Sequence, residues 1–400
     1  MMEPLIFLDY ESLRMIWWAL LGLLLIGFAV MDGFDLGVAA LLPLVARGDP
    51  ERRVLLATIE PVWEGNQVWL ILGAGAIFAA WPILYATVFS GFYFAMLLVL
   101  LALILRPVGF GFRNKIEHPG WRLAWDCALV VSGVVPAIVF GVAFGNLFLG
   151  VPFQFDSSLR VTYTGTFFGL FHPFTILCGL LSLAMLVMHG AVYLGIKTEG
   201  PIHERSVMAA VYAGFAVIVL FAIGGLFIAY GIDGYVVTAG LAPDGPSNPL
   251  GKTVTTLREA WFGNFAGRDW EYHKQVYSGD FFGHGWNLAF PVIGFFGALL
   301  APQLARHKAK KLAFTASSLS LFGIIATAGV SLFPFLLPSS SDPNSSLTVW
   351  DASSSQMTLF IMLIAAVVFL PVILAYTAFV FRVLRGPITQ KQMKEHEANY

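Results

Sequence analysis

Asp32 and Asp35 stand three residues apart inside an apolar run from Leu13 to Val45 that is otherwise long enough to cross a bilayer. A charged group at the centre of a membrane helix costs roughly 2.5 to 3.5 kcal/mol on insertion scales, so an intramembrane acid is first a candidate functional group. A spacing of three puts both carboxylates on one helix face. Gly33 and Gly37 lie in the same turns and let a second helix approach closely enough to cover the acids. The pair is therefore expected to face protein, not lipid.

A second polar set precedes the next apolar run, in Glu60-Pro61-Val62-Trp63-Glu64-Gly65-Asn66-Gln67-Val68-Trp69. Pro61 suits a first helical turn, and spacings of four and three place Glu60, Glu64 and Gln67 on one face. Arg106, followed by Pro107, closes a further apolar run. Two chemistries fit these groups. In one, Arg106 neutralises a carboxylate and locks the helices together, with Glu60 and Glu64 held at the headgroups or by a helix N-terminus. In the other, the carboxylates and Gln67, with bound water, relay protons into the membrane. Two carboxylates without two partners favour the relay for at least one of them.

Other chemistry finds little support. His172 and His189 fall in one apolar run; His118, His203, His273, His307 and His396 fall in connections or the tail, and His284 sits at a helix edge. No histidine pair suited to clamp a haem is evident, and a structural, hydrogen-bonded role is the expectation for His189. Cys127 and Cys178 lie in apolar segments and read as buried thiols, not a disulfide or a metal site. No zinc spacing, phosphate loop or nucleophile motif appears. The chain alone shows no redox or hydrolytic chemistry.

The elements that must position these groups follow from composition. Of 400 residues, 58% are hydrophobic and only 12% charged, with 36 phenylalanines and a mean hydropathy of +0.77. This is the profile of a polytopic, all-α membrane protein. A net charge of -1 gives no reason to expect a nucleic-acid partner. Glu3, Asp9 and Glu11 precede the first apolar run, where a cleaved secretory signal needs a basic start, so no such signal is expected. At about 20 apolar residues per crossing, nine spans are predicted, near 13–45, 65–81, 83–106, 122–149, 164–196, 206–231, 285–305, 312–338 and 357–383. Trp81 and Pro82 make the turn between the second and third.

Basic residues set the orientation. With the N-terminus outside, the inner connections and tail hold Arg47, Arg52 and Arg53; Arg106, Arg113, Lys115 and Arg122; Lys197 and Arg205; Arg306, Lys308, Lys310 and Lys311; Arg382, Arg385, Lys391 and Lys394. That is 17 of the 23 Lys and Arg residues. The C-terminus is then cytoplasmic. The chain reads as a single polytopic domain, 1–400, whose one sizeable polar stretch is an outer surface loop at about 231–283, either a packed cap or a cover for a partner or a substrate entrance.

Several strings resemble a known family. Gly27-Phe28-Ala29-Val30-Met31-Asp32-Gly33-Phe34-Asp35-Leu36-Gly37, Trp63-Glu64-Gly65-Asn66-Gln67-Val68-Trp69-Leu70 and Arg106-Pro107-Val108-Gly109-Phe110 are similar to subunit 2 of the cytochrome bd ubiquinol oxidases. So are the segments Gly141 to Asn146, Tyr230 to Tyr235, Phe333-Pro334 with Pro338-Ser339, and Ser346 to Asp351. The resemblance runs from about Tyr10 to Tyr376. It implies a terminal oxidase of the bacterial cytoplasmic (inner) membrane that oxidises quinol and reduces dioxygen to water. It also implies a fold of two four-helix bundles plus one peripheral helix. Subunit 1 of that family carries two b-type haems and haem d; subunit 2 is a haem-free companion, and a small single-helix subunit can join them. Some members hold a structural quinone in subunit 2, which is not carried to named residues.

The family's proton path is thought to start in subunit 2 at the acid after the Trp of the second helix, here Glu64. The familiar pattern has Asp at that position and His where this chain has Val62. Glutamate is one methylene longer and keeps the proton-carrying group. The resemblance thus implies a path of Glu64, Gln67, Asp35 and Asp32 with Arg106 as a structural ion pair, and quinol and membrane lipid among the partners. A proton-coupled secondary transporter is the alternative from a different class, and inverted repeats with broken helices would mark it. A purely structural companion with no proton path is a third.

Overall fold

The computed structural model describes residues 6–266 and 286–389. His273, His284, His396, Lys391, Lys394 and the end of the 231–283 stretch lie outside the described residues. Helices α1 (Tyr10–Met31) and α2 (Gly33–Val45) form the first span, which is interrupted at Asp32. A short α3 (Asp49–Ala57) follows, then α4 (Trp63–Ala80), α5 (Pro82–Gly91), α6 (Tyr93–Phe112), α7 (Pro119–Leu149), α8 (Pro173–Lys197) and α9 (Gly200–Leu226). After a segment rich in short strands come α10 (Ala260–Ala266), α11 (Ala289–Arg306), α12 (Lys310–Leu332) and α13 (Gln356–Val383).

Among the described residues, eight helical stretches are long and apolar enough to span a membrane. Helix α4, at 18 residues, is shorter than any of these, and Glu64, Asn66 and Gln67 make its first turns polar. Eight of the nine expected crossings correspond to these stretches, with altered boundaries, and the second, near 65–81, falls on α4, which is not one of them. The third is broken at Phe92 between α5 and α6 and runs on to Phe112, beyond the expected 106. The fifth starts at Pro173, not 164, because Pro173 occupies a first-turn position and His172 caps it: its ring accepts from the Phe174 N–H. The eighth ends at Leu332, where Pro334 removes a donor and the chain turns extended.

Helices α2, α7 and α8 meet through small residues. A Cβ on Gly37 would lie 2.0 Å from the Leu186 carbonyl oxygen, and one on Gly190 would lie 2.7 Å from the Gly37 carbonyl carbon. Backbones this close exclude any side chain at the crossing. Helix α6 packs on α7, α9 on α8 and α11, α12 on α11, and α4 on α1, while α13 lies against α1 and α4 and stays mostly exposed.

At the end of the molecule that holds the start of α1, three two-stranded antiparallel sheets form a cap: β1 (Phe153–Phe155) with β2 (Val161–Tyr163), β3 (Asp233–Ala239) with β4 (Thr253–Arg258), and β5 (Phe335–Leu337) with β6 (Leu347–Thr348). The 231–283 stretch is thus no plain loop in its described part, which is a hairpin and α10 packed around Trp261. Arg14, fully buried, ties the cap to α1. Its Nε donates to Ser353 Oγ at 2.8 Å, its Nη2 to the Gly245 carbonyl at 2.9 Å, and its guanidinium lies 3.5 Å from the Tyr10 ring. Lys252 and Asp351 form a second buried tie. Gly37→Val is expected to force α2 and α8 apart. Gel filtration of the detergent-solubilised protein should show loss of the monodisperse form, whereas Gly75→Ala, at a position with open space around it, should leave it intact.

Candidate functional site

The break at Asp32 places both acids at the centre of packed helices. Asp32 and Asp35 are each 0% exposed. Arg106, from the last third of α6, donates from Nη1 to Asp32 Oδ1 at 2.8 Å and is itself 1% exposed. Asp35 has no cation of its own; Asn66 Nδ2, from the first turn of α4, donates to its Oδ2 at 2.8 Å. Between the acids Phe34 stacks on Tyr193 at 4.0 Å between ring centres, and the Tyr193 hydroxyl donates to the Thr58 carbonyl at 2.9 Å. The turn that carries both carboxylates is therefore pinned from α8 and from the segment after α3.

Both acids are covered by protein, and Arg106 contacts Asp32 and not Asp35. The other groups sit differently. Glu64 is exposed and Gln67 half-buried, and neither hydrogen-bonds Asp32 or Asp35. Asn66 makes the contact instead. Glu60 lies in the turn before α4 and so shares no helical face with Glu64 and Gln67, contrary to expectation, and the residue before Gln67 points inward. Asn66 falls on the buried side of α4 with Trp69 and Gly73.

His189 is structural. Its ring nitrogens lie 2.8 Å from Ser317 Oγ and 3.0 Å from the Val30 carbonyl, so both are occupied. Among the described residues no three His, Cys, Asp or Glu side chains gather as a metal would require. Both cysteines are free, and contrary to expectation Cys127 is exposed, on the outer face of α7.

A second polar cluster, absent from the sequence reading, joins the helix ends nearest this site. Arg113 donates from Nε to Asp126 Oδ1 at 2.6 Å and from Nη2 to Asp49 Oδ1 at 2.9 Å; Arg52 also reaches Asp126, Arg122 reaches Asp49, and Arg205 pairs with Glu51. Burial alone would raise the Asp49 carboxyl, but Arg113, Arg122 and Arg53 hold it below its ordinary value. Lys197 and Lys310 cap neighbouring carbonyls at the same end. The basic connections thus converge on one end and the strand-rich cap on the other.

Taken together, this is a polytopic helical membrane protein with a buried two-carboxylate, one-arginine centre near its basic end. The sequence profile described as Cytochrome bd terminal oxidase subunit II matches residues 13–384. The chain belongs to that family. It is 47% identical over 389 residues to "Cytochrome bd-I ubiquinol oxidase subunit 2" of Escherichia coli strain K12, covering 97% of this chain and 98% of the relative. It is 30% identical over 383 residues to "Cytochrome bd ubiquinol oxidase subunit 2" of Bacillus subtilis strain 168, covering 95% and 98%. The solved bd oxidase of Geobacillus thermodenitrificans shares the fold, with a TM-score of 0.59 at 16% identity, covering 93% of this chain and 98% of that one.

Two outcomes follow from the site. Removing one partner of a buried pair costs about 3 to 5 kcal/mol, whereas replacing both by apolar groups costs far less. Arg106→Met should therefore strip the protein from purified membranes, and Asp32→Leu with Arg106→Met should restore most of its yield on immunoblots. The depressed Asp49 carboxyl contributes stability that is full above about pH 4 to 5 and is lost as pH falls through its folded value. Melting temperatures followed on acidification should drop, and Asp49→Asn should flatten that part of the drop.

Proposed function

We propose that this chain is subunit 2 of a quinol:oxygen oxidoreductase of the aerobic respiratory chain, in the bacterial inner membrane. It supports a haem-bearing subunit 1, which holds two b-type haems and haem d, and supplies a cytoplasmic proton path for reduction of dioxygen to water. A single membrane domain of two four-helix bundles and a peripheral helix, N-terminus outside and C-terminus inside, would carry this role. The clustering of Arg52, Arg113, Arg122 and Arg205 at one end supports that end as cytoplasmic, by the excess of positive charge on inner connections. A small single-helix subunit, quinol, lipid and a structural quinone are further partners the family allows. Family membership disfavours the transporter reading.

The observation that carries the proton path is the buried centre, where of two carboxylates only Asp32 pairs with the guanidinium and Asp35 is held by an amide. Arg106 is committed to Asp32. Asp35, held by a neutral amide, is the group free to exchange a proton. Glu64, exposed at the first turn of the same helix that supplies Asn66, is placed to collect protons from the aqueous edge. Protons consumed from the inside, with those of quinol released outside, make the reaction electrogenic without pumping. Exchanging Glu64 for Gln keeps size and removes the proton-carrying group. Glu64→Gln should lower oxygen consumption per haem d with the haem spectrum unchanged; a native rate in that variant removes Glu64 from the path.

A further inference from the structure

In the buried centre, four polar atoms make no hydrogen bond within the protein: Asp32 Oδ2, Asp35 Oδ1, and Nε and Nη2 of Arg106. Two are acceptors and two are donors. Asp32 and Asp35 are 0% exposed and Arg106 1% in this chain by itself, so neither lipid nor a neighbouring subunit reaches them. Charged groups left unbonded at such depth are disfavoured, and an enclosed water is the common remedy.

The number and placement of these atoms suit a single occupant. Nε and Nη2 lie along one edge of the guanidinium, the kind of edge that grips paired acceptors in bidentate contacts, whereas Asp32 Oδ1 takes its bond from Nη1. Asp32 Oδ2 belongs to the carboxylate already held there. Asp35 stands one helical turn on, on the same face, and the charges of both Asp32 and Arg106 act on it. With its Oδ2 accepting from Asn66, Oδ1 is its remaining acceptor. A cation cannot accept from the guanidinium, and an anion would face two carboxylates. Water takes two hydrogen bonds and gives two. We propose that one enclosed water bridges this centre, accepting from Nε and Nη2 of Arg106 and donating to Asp32 Oδ2 and Asp35 Oδ1. Arg106 then serves both acids, Asp32 directly and Asp35 through the water, and is the positioning residue for it. The bridge holds whether or not Asp35 carries protons.

The test uses the whole complex, purified with its partner and imaged by electron cryo-microscopy at a resolution that shows ordered water. One density peak should lie within hydrogen-bond reach of the Arg106 edge and of both carboxylates. A centre with no such peak, or with a peak that touches only one of the acids, overturns the bridge. A double-mutant cycle reads the same contact in solution. Arg106→Lys keeps the charge beside Asp32 but removes the Nε and Nη2 edge, so direct attraction to Asp35 persists while the bridge does not. The melting-temperature shift caused by Asp35→Asn should then be clearly smaller in the Arg106→Lys background than in the native one. Equal shifts in the two backgrounds overturn the inference. Should Arg106→Lys not assemble, the native map alone decides. Neither measurement reads turnover, so the outcome is separate from that of Glu64→Gln.

Discussion

Two carboxylates and one guanidinium are enclosed away from bulk water, and the packing around them follows from that imbalance. An ion pair at this depth survives only if its geometry is kept and its desolvation offset by close neighbours. Asp32 and Arg106 meet that condition at 2.8 Å, which requires α6 to stay against the first span. Asp35 meets it only through Asn66, which requires α4 to start where it does. The contact of Gly37 with Gly190 draws α8 over the same turn, and Phe34 is held against Tyr193. Five segments thus converge on four polar side chains.

The two ends of the molecule are built differently. At the cap end, Arg14 gives its donors mainly to neutral carbonyls and hydroxyls, and tryptophans fill the space beneath. At the other end, arginines and acids form a partly solvated network that joins α3 to the ends of α6, α7 and α9.

Much of this was legible in the sequence. The period of the helix put Asp32 and Asp35 together, glycine spacing said they would be covered, and a lone arginine at a helix end marked the partner. Trp81 and Pro82 separate α4 from α5 as their types imply. What escaped was set by tertiary contacts. Gln67 and Asn66 are adjacent and both amides, and only the direction of α4 decides that Asn66 turns inward. The cap strands are two to seven residues long, too short for alternation to register, and Cys127 falls on an outward face of a membrane helix, where apolar residues line both sides.

The central claim is that Asp35 exchanges protons during oxygen reduction. It is tested most directly by proton uptake in vesicles containing the oxidase, followed with an internal or external pH dye after fully reduced enzyme meets oxygen. Uptake should come from the side of the arginine network in the native complex, and Asp35→Asn with native haem content should slow it in step with turnover. Uptake at the native rate from that side in Asp35→Asn would contradict the account.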